Sequence, residues 1–132
     1  MGYMWLRKRL SKLREVKGPV CVVSITGWPS TGKSYILSEA FDQPNVFPVG
    51  HRIEPETIGV WLWVIPEKYK DSTGQVFTVV LLDSEGFGAL TVEDAYDYNV
   101  QTSTLIVLLS SVLIYNSRDV PKKADVIEIS YP

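Results

Sequence analysis

An octapeptide with two glycines and a lysine directly follows a run of apolar, largely β-branched residues. The octapeptide, Gly27–Ser34, matches the pattern G-x-x-x-x-G-K-[ST] at every fixed position. Two glycines allow a loop tight enough for backbone N–H groups to surround a phosphate, and a helix that begins there directs the positive end of its dipole at the same anion. The preceding run, Val20–Thr26, suits a buried parallel strand. The sequence therefore predicts a strand, a phosphate-binding loop and a helix, in that order.

Each fixed position of the octapeptide has a chemical role in such a loop. Lys33 supplies a positive charge for the β- and γ-phosphates, which predicts a catalytic contribution as well as binding, and Ser34 offers a hydroxyl to Mg²⁺. The alternative is a glycine-rich turn that binds nothing, and the flanking strand and helix disfavour it. With the acidic motif described next, the predicted nucleotide-binding residues are Gly27, Ser30, Thr31, Gly32, Lys33, Ser34, Tyr35 and Gly86.

A second motif, Asp83-Ser84-Glu85-Gly86, follows the apolar run Val76–Leu82. An acid at the carboxyl end of a buried strand, beside a phosphate-binding loop, is where a Mg²⁺-holding aspartate belongs, so Asp83 is the predicted metal residue. Gly86 can bring its N–H close to the γ-phosphate, and Glu85 is a predicted catalytic residue. Without the octapeptide, this motif would indicate only a solvated acidic turn.

Thr57 lies at the end of a long polar segment, Asp42–Thr57, just before a predicted strand. A segment of this length without regular structure is usually functional or disordered. A threonine placed there can reach the metal when a triphosphate is bound, and the segment can order on binding and release after hydrolysis. Thr57 is therefore predicted as both a metal ligand and a catalytic residue.

Strands alternate with helices along the chain, which predicts an α/β fold. The predicted class is a P-loop NTPase, or G domain: an incomplete three-layer sandwich with a mostly parallel sheet. Residues 1–17 are predicted as a basic amphipathic helix, centred on Tyr3–Val16, and residues 18–132 as a partial GTPase domain. The other predicted elements are a helix at Lys33–Phe41, a strand at Ile58–Ile65, a turn-rich connection at Pro66–Gln75, a polar loop at Asp83–Asp97, a helix at Tyr98–Ser111, a strand at Val112–Asn116 and a helix within Lys122–Tyr131.

Charge is distributed unevenly. The net charge is −2 over 132 residues, but residues 1–17 hold six bases and one acid, which leaves −7 on the remainder. An acidic body argues against nucleic-acid binding. The basic end suits a solvated helix face, an anionic membrane surface or an acidic partner. The single cysteine, Cys21, fits a reducing compartment, so we expect a cytoplasmic protein, in contact with membranes if the basic end binds them.

Three linked stretches carry a family resemblance. Gly50–Trp63, with Thr57 and two tryptophans, resembles switch I and the next strand of guanylate-binding proteins. Leu81–Gly88 resembles their switch II, and Val107–Ser111 with Tyr115–Ser117 is similar to a later stretch of the same family. Atlastins are more distant relatives. The resemblance implies a dynamin-like large GTPase that binds GTP with Mg²⁺, hydrolyses it to GDP, dimerises through the G domain and acts in innate defence.

The chain departs from that family at identifiable positions. Ser30 stands where the family carries a P-loop arginine that acts as an internal finger, and Pro55 replaces a serine that helps to place the attacking water. We expect the family's guanine-recognition segment, an Arg-Asp pair on a later strand, to lie beyond the stretch that resembles the family. These departures keep open a different class of function, a non-catalytic interaction module that pairs with full-length relatives. An ATP-binding P-loop protein is a third alternative, because no residue named above recognises the base.

Overall fold

The computed structural model describes residues 11–27, 32–44, 46–47, 59–85, 104–117, 119–120 and 122–123. Its regular elements include four strands and one fully bounded helix, with further helical residues at 11–15 and 104–109. In chain order they are β1 (Val20–Gly27), α1 (Lys33–Ala40), β2 (Gly59–Lys70), β3 (Val76–Glu85) and β4 (Val112–Asn116).

The four strands form one sheet in the order β2-β3-β1-β4. β1 pairs in parallel with both β3 and β4, whereas β2 pairs antiparallel with β3. Parallel pairs need crossover connections, and they bury strands whose sequences are continuously apolar, as those of β1 and β3 largely are. The prediction of a mostly parallel, open α/β sheet is confirmed.

Side-chain alternation along β1 separates the two faces of the sheet. Val23 and Ile25 point to the face covered by α1, where they share a core cluster with Leu37. Ser24 points to the opposite face, where its hydroxyl accepts a hydrogen bond of 2.6 Å from Ser110, next to the helical residues 104–109. Successive residues of a strand face opposite sides of the sheet. The contacts of Val23 and Ile25 on one side and of Ser24 on the other therefore show that both faces are covered, as in a three-layer α/β fold.

α1 ends in a Schellman arrangement. The N–H of Asp42 donates to the carbonyl oxygen of Glu39 at 3.2 Å, and the N–H of Gln43 donates to that of Ser38 at 2.8 Å. Asp42 adopts a left-handed conformation with φ of 52°, a position that glycine usually occupies. The helix therefore stops at Ala40, one residue before the predicted end.

The predicted connection at Pro66–Gln75 is wrong for its first half, because β2 continues through Lys70. Proline cannot donate a ladder hydrogen bond, and this usually ends a strand. Among the described strands, β2 lies at the edge of the sheet, and Pro66 lies in a register shift where the three residues between Val64 and Lys68 oppose the single residue Val79 of β3. Edges and bulges are where strands tolerate proline. The turn itself begins at Asp71.

Two further boundaries differ from prediction. β3 extends through Glu85, so residues 83–85 of the predicted polar loop are strand. The predicted helix Tyr98–Ser111 is helical at 104–109 and stops before Ser110. Ser111 instead pairs with β1: its N–H donates to the Val22 carbonyl oxygen at 2.8 Å, and its hydroxyl accepts from the Val22 N–H at 2.9 Å.

The structure describes the remaining predicted elements only in part. The predicted N-terminal helix is helical at residues 11–15, and residues 1–10 lie outside the described part of the chain. Most of the predicted polar segment after α1 and of the predicted helix within Lys122–Tyr131 also lies outside it. The strand predicted at Val112–Asn116 has those bounds in the structure.

Candidate functional site

Gly27, the first glycine of the octapeptide, ends β1 at a position where two steric conditions exclude a side chain. Gly27 has φ of 138°, a conformation that residues with a side chain rarely adopt. It also pairs in register with Asn116 of β4, and a Cβ at this position would lie 2.1 Å from the Asn116 carbonyl oxygen. The chain can therefore turn away from the sheet here only with glycine.

The second glycine of the octapeptide caps α1. Gly32 is left-handed, with φ of 74° and ψ of 24°, and its carbonyl oxygen accepts the first helical hydrogen bond from Ile36 at 2.9 Å. No side chain caps this helix start, and its first turn, which is fully described, contains no acidic residue. The positive end of the helix dipole, together with the N–H groups that a helix start directs outward, favours an anion at such a position.

Lys33 and Ser34 begin α1 and are both buried, at 4% and 3% exposure. A lysine is rarely buried to this extent unless its ammonium group has polar or charged partners. Tyr35, by contrast, is 58% exposed on the outside of the same turn. The first turn of α1 therefore presents a buried cation and a buried hydroxyl at the end of the sheet.

Ser34 meets the acid predicted from the second motif. Its hydroxyl donates a short hydrogen bond to Oδ2 of Asp83, across 49 positions of sequence. Asp83 is only 1% exposed and lies in β3, in register with Ile25 of β1 and with Trp61 of β2. The parallel pairing of β1 and β3 thus brings the Ser34 hydroxyl, which follows β1 in the chain, against the Asp83 carboxylate near the end of β3.

The topology independently favours a ligand site in a crevice at this end of the sheet. The chain leaves β1 toward α1 on one face, and after β3 it returns to the sheet through residues 104–109 on the other face. Ligands of open α/β sheets bind outside the carboxyl ends of strands where adjacent connections leave in opposite directions. Gly27 and Asp83 lie near those ends of β1 and β3.

The donor set at the crevice suits a hard cation. A serine hydroxyl and an aspartate carboxylate offer oxygen ligands, which Mg²⁺ prefers, and Mg²⁺ usually completes its shell with water and substrate phosphates. Within the described residues, no group of three His, Cys, Asp or Glu side chains could hold a metal ion by itself.

No described helix is long and apolar enough to cross a bilayer.

Comparison with known proteins identifies the family. The model of the guanylate-binding protein N-terminal domain matches residues 4–131. This chain belongs to the guanylate-binding protein family. It is 40% identical over 111 residues to guanylate-binding protein 4 of Homo sapiens, 38% identical over 110 residues to guanylate-binding protein 7 of Mus musculus, and 35% identical over 111 residues to guanylate-binding protein 5 of Mus musculus.

These alignments cover 83–84% of this chain but only 16–18% of the relatives' own length. The chain thus corresponds to a small part of the longer members of the guanylate-binding protein family. The family resemblance inferred from the three sequence stretches is confirmed.

The structure brings together five of the predicted site residues and leaves others outside its described part. Gly27, Gly32, Lys33, Ser34 and Asp83 lie around the crevice, and Glu85 is the last residue of β3. The predicted residues that lie outside the described part are Ser30, Thr31, Thr57 and Gly86. The contact between Ser34 and Asp83 is the part of the predicted arrangement that the described residues show directly.

Two contributions to the site escaped the sequence reasoning. The approach of the Asn116 carbonyl to Gly27 depends on strand register, which single-sequence patterns do not reveal. The hydrogen bond between the buried Ser24 and the half-buried Ser110 lies on the face of β1 opposite α1. Ser110 interrupts the apolar stretch Leu105–Tyr115 and was a visible signal, because a hydroxyl that is largely removed from water needs a partner.

Proposed function

We propose that the chain binds GTP with Mg²⁺ at the carboxyl ends of β1 and β3 and hydrolyses it slowly to GDP. The observation that carries the proposal is the buried contact between Ser34 and Asp83, beside the start of α1. A hydroxyl and a carboxylate held together next to a buried lysine match the chemistry of a metal-bound polyphosphate. The choice of guanine rests on membership of the guanylate-binding protein family.

Each described residue has a distinct task in this proposal. Lys33 neutralises charge on the β- and γ-phosphates, and the first N–H groups of α1 donate to phosphate oxygens. Ser34 and Asp83 would hold Mg²⁺, with Thr57 as a further ligand. When bound, the metal neutralises phosphate charge and orients the transferred group. Glu85 and the N–H of Gly86 lie next in sequence, where a γ-phosphate would be sensed.

The binding half of the proposal is tested with fluorescently labelled GTP and ATP, each with Mg²⁺ or with excess chelator. We expect the parent chain to prefer GTP and to lose affinity when Mg²⁺ is removed. Lys33→Ala should weaken binding about 10- to 100-fold, because a charge-assisted hydrogen bond contributes roughly 1.5–3 kcal/mol. Asp83→Asn should weaken only the Mg²⁺-dependent part.

The matched control is Asp71→Asn, in the exposed turn between β2 and β3, which should bind as the parent does. Melting curves establish that each variant is folded. Equal GTP affinity for the parent and Lys33→Ala would contradict the assignment of the phosphate site. A preference for ATP would contradict the choice of base.

A non-catalytic interaction module is the second candidate function, favoured by Ser30 at the position of the family's P-loop arginine. Such a module would pair with a second copy or with a longer relative through the G domain. The same titration separates the two proposals, since a parent chain that binds neither nucleotide supports the module alone. Dimerisation, membrane contact and a cytoplasmic location stay predictions.

A further inference from the structure

Two lysines near the end of β2 project from the same face of the sheet. Tyr69, which lies between them, packs against the core cluster on the face covered by α1. Because side chains alternate along a strand, Lys68 and Lys70 project from the opposite face, and both are exposed. The Lys68 ammonium group donates a hydrogen bond to the Thr78 hydroxyl on the neighbouring strand, in agreement with this placement.

Two exposed valines lie beside these lysines. Val20 of β1 and Lys68 of β2 both pair with Thr78 of β3, so the three residues form one row across the sheet. Val76 pairs with Lys70 in the next row of the same face. Adjacent strands are about 4.8 Å apart, so each valine backbone lies roughly 5–10 Å from that of a lysine. Val20 is 39% exposed and Val76 is 45% exposed.

The chain that enters β1 adds a third cation to this group. Lys17 is exposed and lies three residues before Val20, so its Cα is at most about 11 Å from that of the valine. We call Lys17, Val20, Lys68, Lys70 and Val76 the basic end of the sheet. The sequence showed an excess of basic charge only in residues 1–17, and the pairing of the strands brings two further lysines to the same place.

Nearby carboxylates are engaged in other contacts or outnumbered. Oε2 of Glu67 accepts from Nε2 of Gln43 at 3.3 Å, and Oε1 of Gln43 accepts from Nε1 of Trp63 at 3.0 Å. Trp63 packs against the core cluster, so these contacts direct Glu67 toward the face opposite the lysines. Oδ1 of Asp71 accepts three hydrogen bonds within its own turn. Glu15 is outnumbered by the exposed bases around it, so this end of the sheet is positive although the whole chain carries −2.

We propose that the basic end of the sheet binds the surface of an anionic lipid bilayer. The ammonium groups attract anionic headgroups, and the exposed valine methyl groups beside them gain free energy by entering the boundary between headgroups and acyl chains. A soluble acidic polymer would engage the lysines but leave the valines in water. The combination of cations with aliphatic side chains therefore favours a lipid surface over an acidic protein or a nucleic acid.

The candidate nucleotide site lies at the opposite end of the same strands. Asp83 is five residues beyond Thr78 along β3, roughly 17 Å at about 3.3 Å per residue. A bilayer at the basic end therefore leaves the crevice accessible, and lipid binding does not depend on nucleotide binding.

The test is co-sedimentation of the full chain with vesicles of phosphatidylcholine mixed with phosphatidylserine, and with vesicles of phosphatidylcholine alone. Pelleting of the chain without vesicles is subtracted. We expect binding only to the mixed vesicles, and weaker binding in high salt. Lys70→Glu should weaken it about fivefold or more, and Lys17→Glu/Lys70→Glu about 25-fold or more, because each lysine near such a surface contributes roughly fivefold in affinity.

The matched control is Lys123→Glu, which makes the same change of net charge at an exposed lysine that follows the carboxyl end of β4. It should bind mixed vesicles within about twofold of the parent, because a charge distant from the bilayer is screened. Melting curves establish that each variant is folded.

A second pair of measurements distinguishes lipid from an acidic partner. Val20→Thr/Val76→Thr keeps both side-chain shapes but replaces a methyl group with a hydroxyl at each position. We expect its affinity for mixed vesicles to fall about two- to tenfold, because less apolar surface enters the bilayer. Its affinity for soluble polyglutamate, which engages only the lysines, should equal that of the parent.

Three outcomes would overturn the proposal. The first is a parent chain that does not sediment with mixed vesicles. The second is an equal loss in Lys70→Glu and Lys123→Glu, which would show a response to net charge alone. The third is vesicle binding that the valine changes leave intact together with equally tight binding of polyglutamate, which would assign the surface to an acidic partner. None of these outcomes affects the proposed nucleotide binding, which is measured separately.

Discussion

At the scale of single residues, the octapeptide Gly27–Ser34 combines steric and electrostatic demands. Gly27 is required by its φ of 138° and by the Asn116 carbonyl oxygen that a Cβ would strike at 2.1 Å. Lys33 and Ser34 are buried because α1 starts against the ends of the central strands. The rate of the proposed hydrolysis also depends on Ser30, because its side chain cannot supply charge to a reacting phosphoryl group.

Replacing Ser30 with arginine should accelerate GTP hydrolysis. An arginine that neutralises charge developing on the transferred phosphoryl group contributes about 10³–10⁵ in rate, and a serine hydroxyl is neutral and short. We expect slow single-turnover hydrolysis by the parent and faster hydrolysis by Ser30→Arg, with nucleotide affinity changed little. The measurement is quenched single-turnover conversion of GTP to GDP.

The control is Arg52→Ala. Arg52 lies in the segment before Thr57 and is the alternative arginine that could supply the positive charge. Fast parent hydrolysis that collapses in Arg52→Ala would assign the finger to that arginine. Fast hydrolysis that neither change affects would contradict the account, because the charge would come from another group.

At the scale of elements, the end of α1 carries a residue that is poorly suited to its backbone. Asp42 is left-handed and places a carboxylate at the negative end of the helix dipole. Asp42→Gly should raise the free energy of unfolding by about 0.5–1 kcal/mol, because it removes both the steric and the dipole penalties, partly offset by greater unfolded-state entropy. Urea unfolding measures the change.

Two companion variants separate the causes. Asp42→Asn removes the charge but keeps a side chain that tolerates the left-handed conformation, so it should give part of the gain. Asp42→Ala keeps a Cβ without a local hydrogen-bonding group and should gain less than Asp42→Gly. A loss of stability in Asp42→Gly would contradict the cap assignment.

The turn between β2 and β3 makes a pH-dependent contribution to stability. Hydrogen bonds to Asp71, first from the Thr73 side chain and then from the Gln75 N–H, hold the pKa of this carboxyl below its ordinary value. Its stabilising effect is therefore complete above the unfolded pKa of about 3.9 and is lost as the pH falls through the lower folded value. The free energy of unfolding of the parent minus that of Asp71→Asn should be positive at pH 7 and shrink in strongly acidic solution.

Unfolding of both proteins across this pH range measures the difference directly, and other titrating groups cancel between them. A difference that stays constant to the lowest accessible pH would show that the Asp71 charge does not contribute. Three hydrogen bonds to one carboxylate oxygen support the expectation. Oδ1 of Asp71 accepts from the Thr73 N–H at 2.8 Å, from the Thr73 hydroxyl at 2.6 Å and from the Gln75 N–H at 3.0 Å.

At the scale of the whole molecule, an uncharged apolar surface adjoins one edge of the sheet. β4 is the last strand on this side among the described residues, and the adjoining helical residues expose Leu105 at 48%, Leu108 at 73% and Leu109 at 51%. Residues 104–117 contain no charged side chain. Edges without charges and with apolar flanks favour association between copies.

We expect concentration-dependent self-association of the parent chain in sedimentation velocity experiments. Leu108→Lys should shift the distribution toward monomer, because a charge opposes burial of this surface. Val120→Lys is the control: Val120 is 84% exposed but lies beyond β4, so this change should have little effect. A monomeric parent at high concentration would contradict the expectation.

Local patterns in the sequence were sufficient for most of the architecture. The octapeptide, the acidic motif and the apolar runs predicted β1, β3, β4 and α1, because spacing and burial pattern are local properties. The bounds of Val112–Asn116 were predicted correctly for the same reason. The roles of Lys33, Ser34, Asp83 and every other predicted site residue stay predictions.

Only the tertiary structure decided where segments distant in the sequence meet. β2 passes Pro66 because it is an edge strand with a register shift, and no local pattern specifies which strand lies at the edge. The Ser34–Asp83 contact, the approach of Asn116 to Gly27 and the hydrogen bonds of Gln43 to β2 all depend on strand order and register. Those are set by the packing of the whole sheet, which a local window of sequence does not contain.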